Sequence, residues 1–264
     1  MTLHNQKTVN NEIKLCGIGL HNGQKVNLII KPANENFGIK FCRTDIKDEN
    51  LIDANYKNVV EPILCTKIKN KNGASVSTVE HLMAAFFGEG IDNALVEIDA
   101  SEVPILDGSA SEFVDAIRSV GIKEQEKPRK FIKVLKKVEV KDGQKFISIE
   151  PLNQDLIIDF EIIFNNPLIR TRRKEFKFSN DDLTEIYNSR TFCLYEDIDN
   201  IKRMGLAKGG SLDNAIVVQG NKILNEEGIW TFYKALPPRL AAVMPMIGIQ
   251  FSVYELMKRV SNEA

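Results

Sequence analysis

Residues 76–93 read VSTVEHLMAAFFGEGIDN. Ser77 and Glu80 have the spacing of a capping box, a serine at N-cap with a glutamate three residues on. Leu82 to Phe87 then form an apolar helical run, and Gly88 and Gly90 supply its stop. The pattern sets Glu80 and His81 side by side in the first turn of a buried helix. Burying two titratable groups is costly unless they have partners. Adjacent helical residues project about 100° apart. That suits a histidine ligating a metal beside a glutamate that reaches only the metal-bound water; an incidental capping box explains the pair as well. A metal would need further ligands from elsewhere in the chain.

Working outward, short strands flank this helix. Ile13-Lys14-Leu15 and Val26 to Ile30 read as strands joined through Asn22-Gly23, a hairpin signal. Gly38 to Cys42 begins another strand, and residues 51–69 hold two short runs followed by an Asn72-Gly73 turn. After the helix come a strand at Ala94 to Ile98, a loop EVPILDGSA (102–110) and a helix from Ser111 to Val120. The charged stretch Lys123 to Arg129, with Pro128, reads as a linker.

Beyond it the order repeats. Strands are expected at Phe131 to Val140, Lys145 to Ile149 (through Asp142-Gly143) and Leu156 to Phe164. Helices are expected at Ser179 to Tyr187 and Glu196 to Met204, and strands at Ala215 to Val218 and from Asn221. Lys133 to Lys141 alternates cations with apolar residues, as the wet face of a strand does. The expectation is an α+β protein of two similar halves, residues 1–126 and 127–228, each a sheet layered with helices. The second half is incomplete at its C-terminal end, and residues 229–264 form a tail of different character.

The 264 residues are 43% hydrophobic and 27% charged, ordinary for a soluble protein that buries a core. A net charge of -1 gives no electrostatic case for nucleic acid. Cys16, Cys42, Cys65 and Cys193 lack metal-knuckle spacing, so buried free thiols in a reducing compartment are expected. The polar start MTLHNQKTVNN has no signal core, which argues against export. Leu240 to Met257 is largely apolar, and serves equally as a core helix or a membrane-contacting segment.

Several stretches together resemble one family. They are CGIGLHNGQKV (16–26), VSTVEHLMAAFFGEGIDNALVEI (76–98), EVPILDGSASEFV (102–114), SRTF (189–192), GLAKGGSLDNAIVV (205–218) and LNEEG (224–228). In order and spacing they resemble UDP-3-O-acyl-N-acetylglucosamine deacetylase, the zinc amidase of lipid A biosynthesis, over about residues 10–228. The resemblance implies a cytoplasmic, monomeric enzyme that binds Zn2+ and takes an acylated UDP-N-acetylglucosamine as substrate. It implies Glu80 as general base, His81 as first zinc ligand, Thr191 as a hydroxyl at the developing oxyanion and Phe192 in the wall of the acyl passage. Asp107-Gly108-Ser109 reads as a turn capping the helix at 111, with substrate contact as the other reading. His21 reads as structural and His4 as solvated. Asp197 and Asp213 read as helix-cap or loop acids, with the nucleotide site as the alternative.

The pattern then breaks. The family's remaining zinc ligands come from a His-x-x-x-Asp helix after the segment corresponding to LNEEG. Here the only histidines are His4, His21 and His81, and no Asp, His or Cys follows Asp213. Only Glu226, Glu227, Glu255 and Glu263 remain as late carboxylates. The tail instead carries FYKALPPRL (232–240) and resembles the end of a mitochondrial carrier protein, which implies a chimeric tail and a membrane or mitochondrial association. Two functional expectations follow: a zinc deacetylase impaired by missing ligands, or a non-catalytic remnant that binds acylated sugar nucleotide or associates with a membrane.

Overall fold

Alternation of apolar and polar residues sets the strands. In β3 (Lys25–Pro32) Val26, Leu28 and Ile30 point inward with none of their surface exposed, while Lys25 and Asn27 face water. The computed structural model describes residues 4–60, 63–153, 156–178, 181–220 and 222–224. The strands preceding β3 are β1 (Asn5–Val9) and β2 (Ile13–Ile18). After it come β4 (Ile39–Arg43), β5 (Leu51–Asp53), β6 (Val59–Val60), β7 (Lys67–Lys69) and β8 (Ser75–Ser77). Helix α1 (Glu80–Glu89), strand β9 (Ala94–Ile98), helix α2 (Ser111–Val120) and strand β10 (Ile122–Pro128) follow.

The main sheet has the order β2-β3-β9-β4-β5. β9 lies at its centre, antiparallel to β3 through Leu28↔Ile98 and parallel to β4 through Phe41↔Val96. Val96, Ile98, Phe41 and Ile52 join Leu82, Ala85 and Phe86 of α1 and Phe113, Val114 and Ile117 of α2 in one hydrophobic cluster. A second sheet, β6-β7-β8, ends where α1 begins.

The chain continues as β11 (Val138–Asp142), β12 (Lys145–Ile149), β13 (Ile157–Ile163) and β14 (Thr171–Lys177). Next are α3 (Thr184–Tyr187), β15 (Phe192–Leu194), α4 (Ile198–Arg203), β16 (Ile216–Gln219) and β17 (Lys222–Leu224). β11–β12 and β13–β14 are separate hairpins; β15 and β16 pair in parallel, and β17 closes antiparallel on β16. Here a smaller cluster forms from Ile162, Ile169, Ile216 and Val218, with Phe164 and Phe192 packed on it. The fold is α+β.

Several expectations are corrected. Lys123 to Arg129 is no linker: residues 122–128 form β10, which pairs antiparallel with β1 from Val9↔Ile122 to Asn5↔Pro128. Glu124 and Lys127 point to water, so a polar composition concealed an edge strand. The strand expected from Phe131 begins only at Val138; Phe131, Ile132 and Leu135 are exposed instead of covering a sheet face. The helix expected from Ser179 is reduced to the turn Thr184–Tyr187, with residues 179 and 180 outside the described set. No cysteine is fully buried: Cys16 is exposed and Cys42, Cys65 and Cys193 are partly so, because each sits at a position alternating with the buried ones or on a loop.

Helix α1 runs through Gly88 and ends at Gly90, whose φ of 72° supplies the left-handed C-cap. Gly88 has a packing reason: a Cβ there would meet the Tyr187 ring, 2.5 Å from Cε1. Tyr187, 4% exposed, thus belongs to the core of the first part although it comes from α3. Among the described residues no helix is long and apolar enough to cross a membrane. The segment 240–257, and the rest of the tail from 225, lies outside the described residues.

Candidate active site

The capping box between Ser77 and Glu80 does not form. Ser77 ends β8, donating its N–H and its hydroxyl to the Ser101 carbonyl at 3.0 and 3.2 Å. The N-cap is Val79, without a side-chain cap, and Glu80 opens the helix. Between them Thr78 takes φ 57°, the left-handed region that a β-branched residue seldom occupies. That kink turns the chain from the strand into α1.

Glu80 and His81 are both buried, at 3% and 7% exposure. The Glu80 carboxylate accepts the Thr66 N–H at 3.1 Å. Burial weakens it as an acid, raising its pKa to about 7; the hydrogen bonds from its own backbone and from Thr66 oppose this, and the charge of Glu102 adds to it. Burial drives His81 the other way, down to about 4, against the pull of the Asp107 carboxylate. Cys65, on the loop before β7, is pushed up to about 11 by burial and by Glu80. A buried carboxyl group that titrates near neutrality can both take and return a proton at physiological pH.

A turn from another part of the chain meets this helix start. Asp107, whose charge acts on His81, caps its own turn: its carboxylate accepts the Ser109 N–H at 2.9 Å and the Ser109 hydroxyl at 2.7 Å. Ser109 Oγ in turn accepts the Ser111 N–H at 3.1 Å, a turn leading into α2, whose N-cap is Ala110 without a side-chain cap. Thr191 is fastened to the same turn, its N–H donating to the Gly108 carbonyl at 2.9 Å. Arg190 Nε donates to the Asp107 carbonyl at 2.7 Å, and Nη2 to the carbonyls of Leu212 and Asp213. Gly108 has φ 83°, and a Cβ there would lie 2.0 Å from the Asn214 carbonyl oxygen. The structure therefore gathers Glu80, His81, Asp107 and the Thr191 backbone around one junction. Phe192 points elsewhere: it packs on the second cluster and meets Phe164 edge-on, with ring centroids 5.5 Å apart.

The other candidates fall outside this junction. His4 is exposed; Asp197 is exposed at the N-cap of α4, without a side-chain cap bond, and Asp213 is exposed in a turn. His21 is buried and donates its backbone N–H to Glu102 at 2.8 Å, consistent with a structural part. Glu226, Glu227, Glu255 and Glu263 lie outside the described residues. Among the described residues no group of three or more His, Cys, Asp or Glu gathers to hold a metal ion. His81 with a nearby Asp107 does not fit a zinc site with three protein ligands.

Sequence reading missed Glu102, Arg190 and the influence of the Asp107 charge on His81. Glu102 carried a signal, an acid set directly before the apolar Val103, Pro104 and Ile105.

The family described as UDP-3-O-acyl N-acetylglycosamine deacetylase matches residues 6–232. The UDP-3-O-acyl-N-acetylglucosamine deacetylase of Actinobacillus succinogenes is 45% identical over 227 residues, covering 85% of this chain and 74% of that protein. Those of Pasteurella multocida and Haemophilus ducreyi are 44% and 43% identical with the same coverage. The buried Glu80–His81 pair and the turn that faces it lie wholly within the matched region, and the chain belongs to the UDP-3-O-acyl-N-acetylglucosamine deacetylase family.

Proposed function

We propose that this chain hydrolyses the acetamide of an acylated UDP-N-acetylglucosamine, slowly, with Glu80 as the proton-transfer group. The observation that carries this reading is a fully buried carboxyl group poised at about 7 within the family-matched region. Glu80 takes the proton of the attacking water and returns it to the departing amine. The Thr191 hydroxyl donates to the oxygen on which negative charge develops, a role its anchored backbone at the Asp107–Gly108 turn supports. Zinc is the cofactor expected from the family, with His81 as a ligand. The described residues bring no second and third ligand to it, so metal retention is weak.

The test is amine release from UDP-3-O-acyl-N-acetylglucosamine by the purified full chain, with zinc titrated into the assay and metal content measured after dialysis. The expected result is slow release that depends on added zinc and disappears in Glu80→Gln. Absence of release at every zinc concentration refutes the activity and leaves the non-catalytic reading. Stoichiometric zinc surviving dialysis refutes weak retention.

A further inference from the structure

Glu102 is 1% exposed and no cation forms an ion pair with it among the described residues. Its carboxylate is met by three donors instead. Oε1 accepts the His21 N–H at 2.8 Å and the Thr78 hydroxyl at 2.8 Å, and Oε2 accepts the Asn22 N–H at 2.8 Å. A buried carboxylate is tolerated only with such compensation. The bond to Thr78 falls on the residue forced into the left-handed region, immediately before the N-cap of α1. Two backbone bonds zip the same place: Ser77 N–H to Ser101 O, and Val103 N–H to Ser77 O, each 3.0 Å. On the other side Gly19 has no room for a side chain, because a Cβ would lie 2.7 Å from Glu102 Oε2. The glycine-rich hairpin and the helix start thus converge on one buried carboxylate.

We propose that Glu102 is a positioning residue: by holding Thr78 in its left-handed conformation it fixes the point from which α1 starts, and with it the placement of Glu80 and His81. Left-handed backbone at a β-branched residue persists only where the surroundings over-determine it. The Thr78 hydroxyl is the handle by which they do so. A carboxylate serving only to fill space or cap the hairpin would need the His21 and Asn22 N–H groups and no bond to Thr78.

The inference rests on the proposed deacetylase reading, and its test separates the two. Thr78→Val keeps the side-chain shape and deletes only the hydroxyl; Thr78→Ser keeps the hydroxyl. Both are compared with the parent by melting curve, by the imidazole signals in a proton–carbon correlation spectrum of metal-free protein, and by amine release. Expected for Thr78→Val is a displaced or broadened His81 ring signal with His4 unchanged, and a kcat about tenfold lower with KM within about twofold; Thr78→Ser restores the parent values. If Thr78→Val fails to fold, Thr78→Ala and Glu102→Gln are read in the same way. A parental His81 signal in a folded variant that lacks the hydroxyl overturns the positioning role. Absence of turnover in the parent bears on the deacetylase reading alone, since the His81 signal still reports the geometry.

Discussion

Replacing Glu80 by Gln in metal-free protein should raise stability at pH 8 while changing it little at pH 5. In the folded chain burial holds the Glu80 carboxyl at about 7, against an ordinary 4.5. A folded-state value above the unfolded one means that the native state favours the protonated form. The associated stability is fully present below pH 4.5 and is lost as pH rises to about 7. At about 1.36 kcal/mol for each pH unit, that span corresponds to a loss of about 3 kcal/mol at pH 8, and under about 1 kcal/mol at pH 5. Gln reproduces the shape of the protonated acid, and its carbonyl can accept the Thr66 N–H that Glu80 now receives at 3.1 Å. Any cost of housing the amide is the same at both pH values, so the measured quantity is the difference between the two comparisons. The difference between the two pH values, about 2.5 kcal/mol, corresponds for a chain of this size to about 5–10 °C in Tm. His81, held down to about 4, titrates with the opposite sign and is common to both proteins. Melting curves in chelator at the two pH values decide the matter. Equal effects of the substitution at pH 5 and pH 8 would show that Glu80 is not held protonated by the fold.

Further outcomes follow from close contacts. Gly88→Ala sets a methyl group against the Tyr187 ring and should cost about 1–3 kcal/mol in urea unfolding; combined with Tyr187→Leu it should cost less than the sum of the two single changes. Gly108→Ala places a methyl on the Asn214 carbonyl at a positive φ, so it should cost more than about 2 kcal/mol and lower amine release beyond its effect on Tm. Phe113→Ala, at a fully buried site under the main sheet, should cost about 3–5 kcal/mol without changing the pH dependence described above.

Strands with one buried face were legible in the sequence. Val26, Leu28 and Ile30 alternate with polar residues, and β3 lies where that alternation puts it. Helix α2 was equally clear, with Phe113, Val114 and Ile117 on one face and Gly121 beyond its end. Local spacing failed where a distant residue overrode it. Ser77 has the right distance from Glu80 for a capping box, but the Ser101 carbonyl claims its hydroxyl, and Thr78 breaks the turn that the box would need. β10 escaped notice because its partner β1 lies at the other end of the first part, and no short window of sequence contains both. Glu80 and His81 were found from their motif, and their burial followed from the apolar residues after them. Glu102 was not, since a carboxylate satisfied by backbone N–H groups of a remote hairpin leaves no charged partner to count.

The pairing of β1 with β10 also sets an order of events during synthesis. Asn5 to Val9 are made before the other described strands, but the strand that pairs with them is the last element of the first part to be made. At the usual 5–20 residues per second β1 waits roughly 6 to 24 s for β10. Within that interval all the strands of the main sheet have been made, from the β2–β3 hairpin to β9, which lies between β3 and β4. The main sheet is thus completed only when its central strand β9 arrives, and β1, in a separate two-stranded sheet, keeps an unpaired edge open to chaperones until β10 is made.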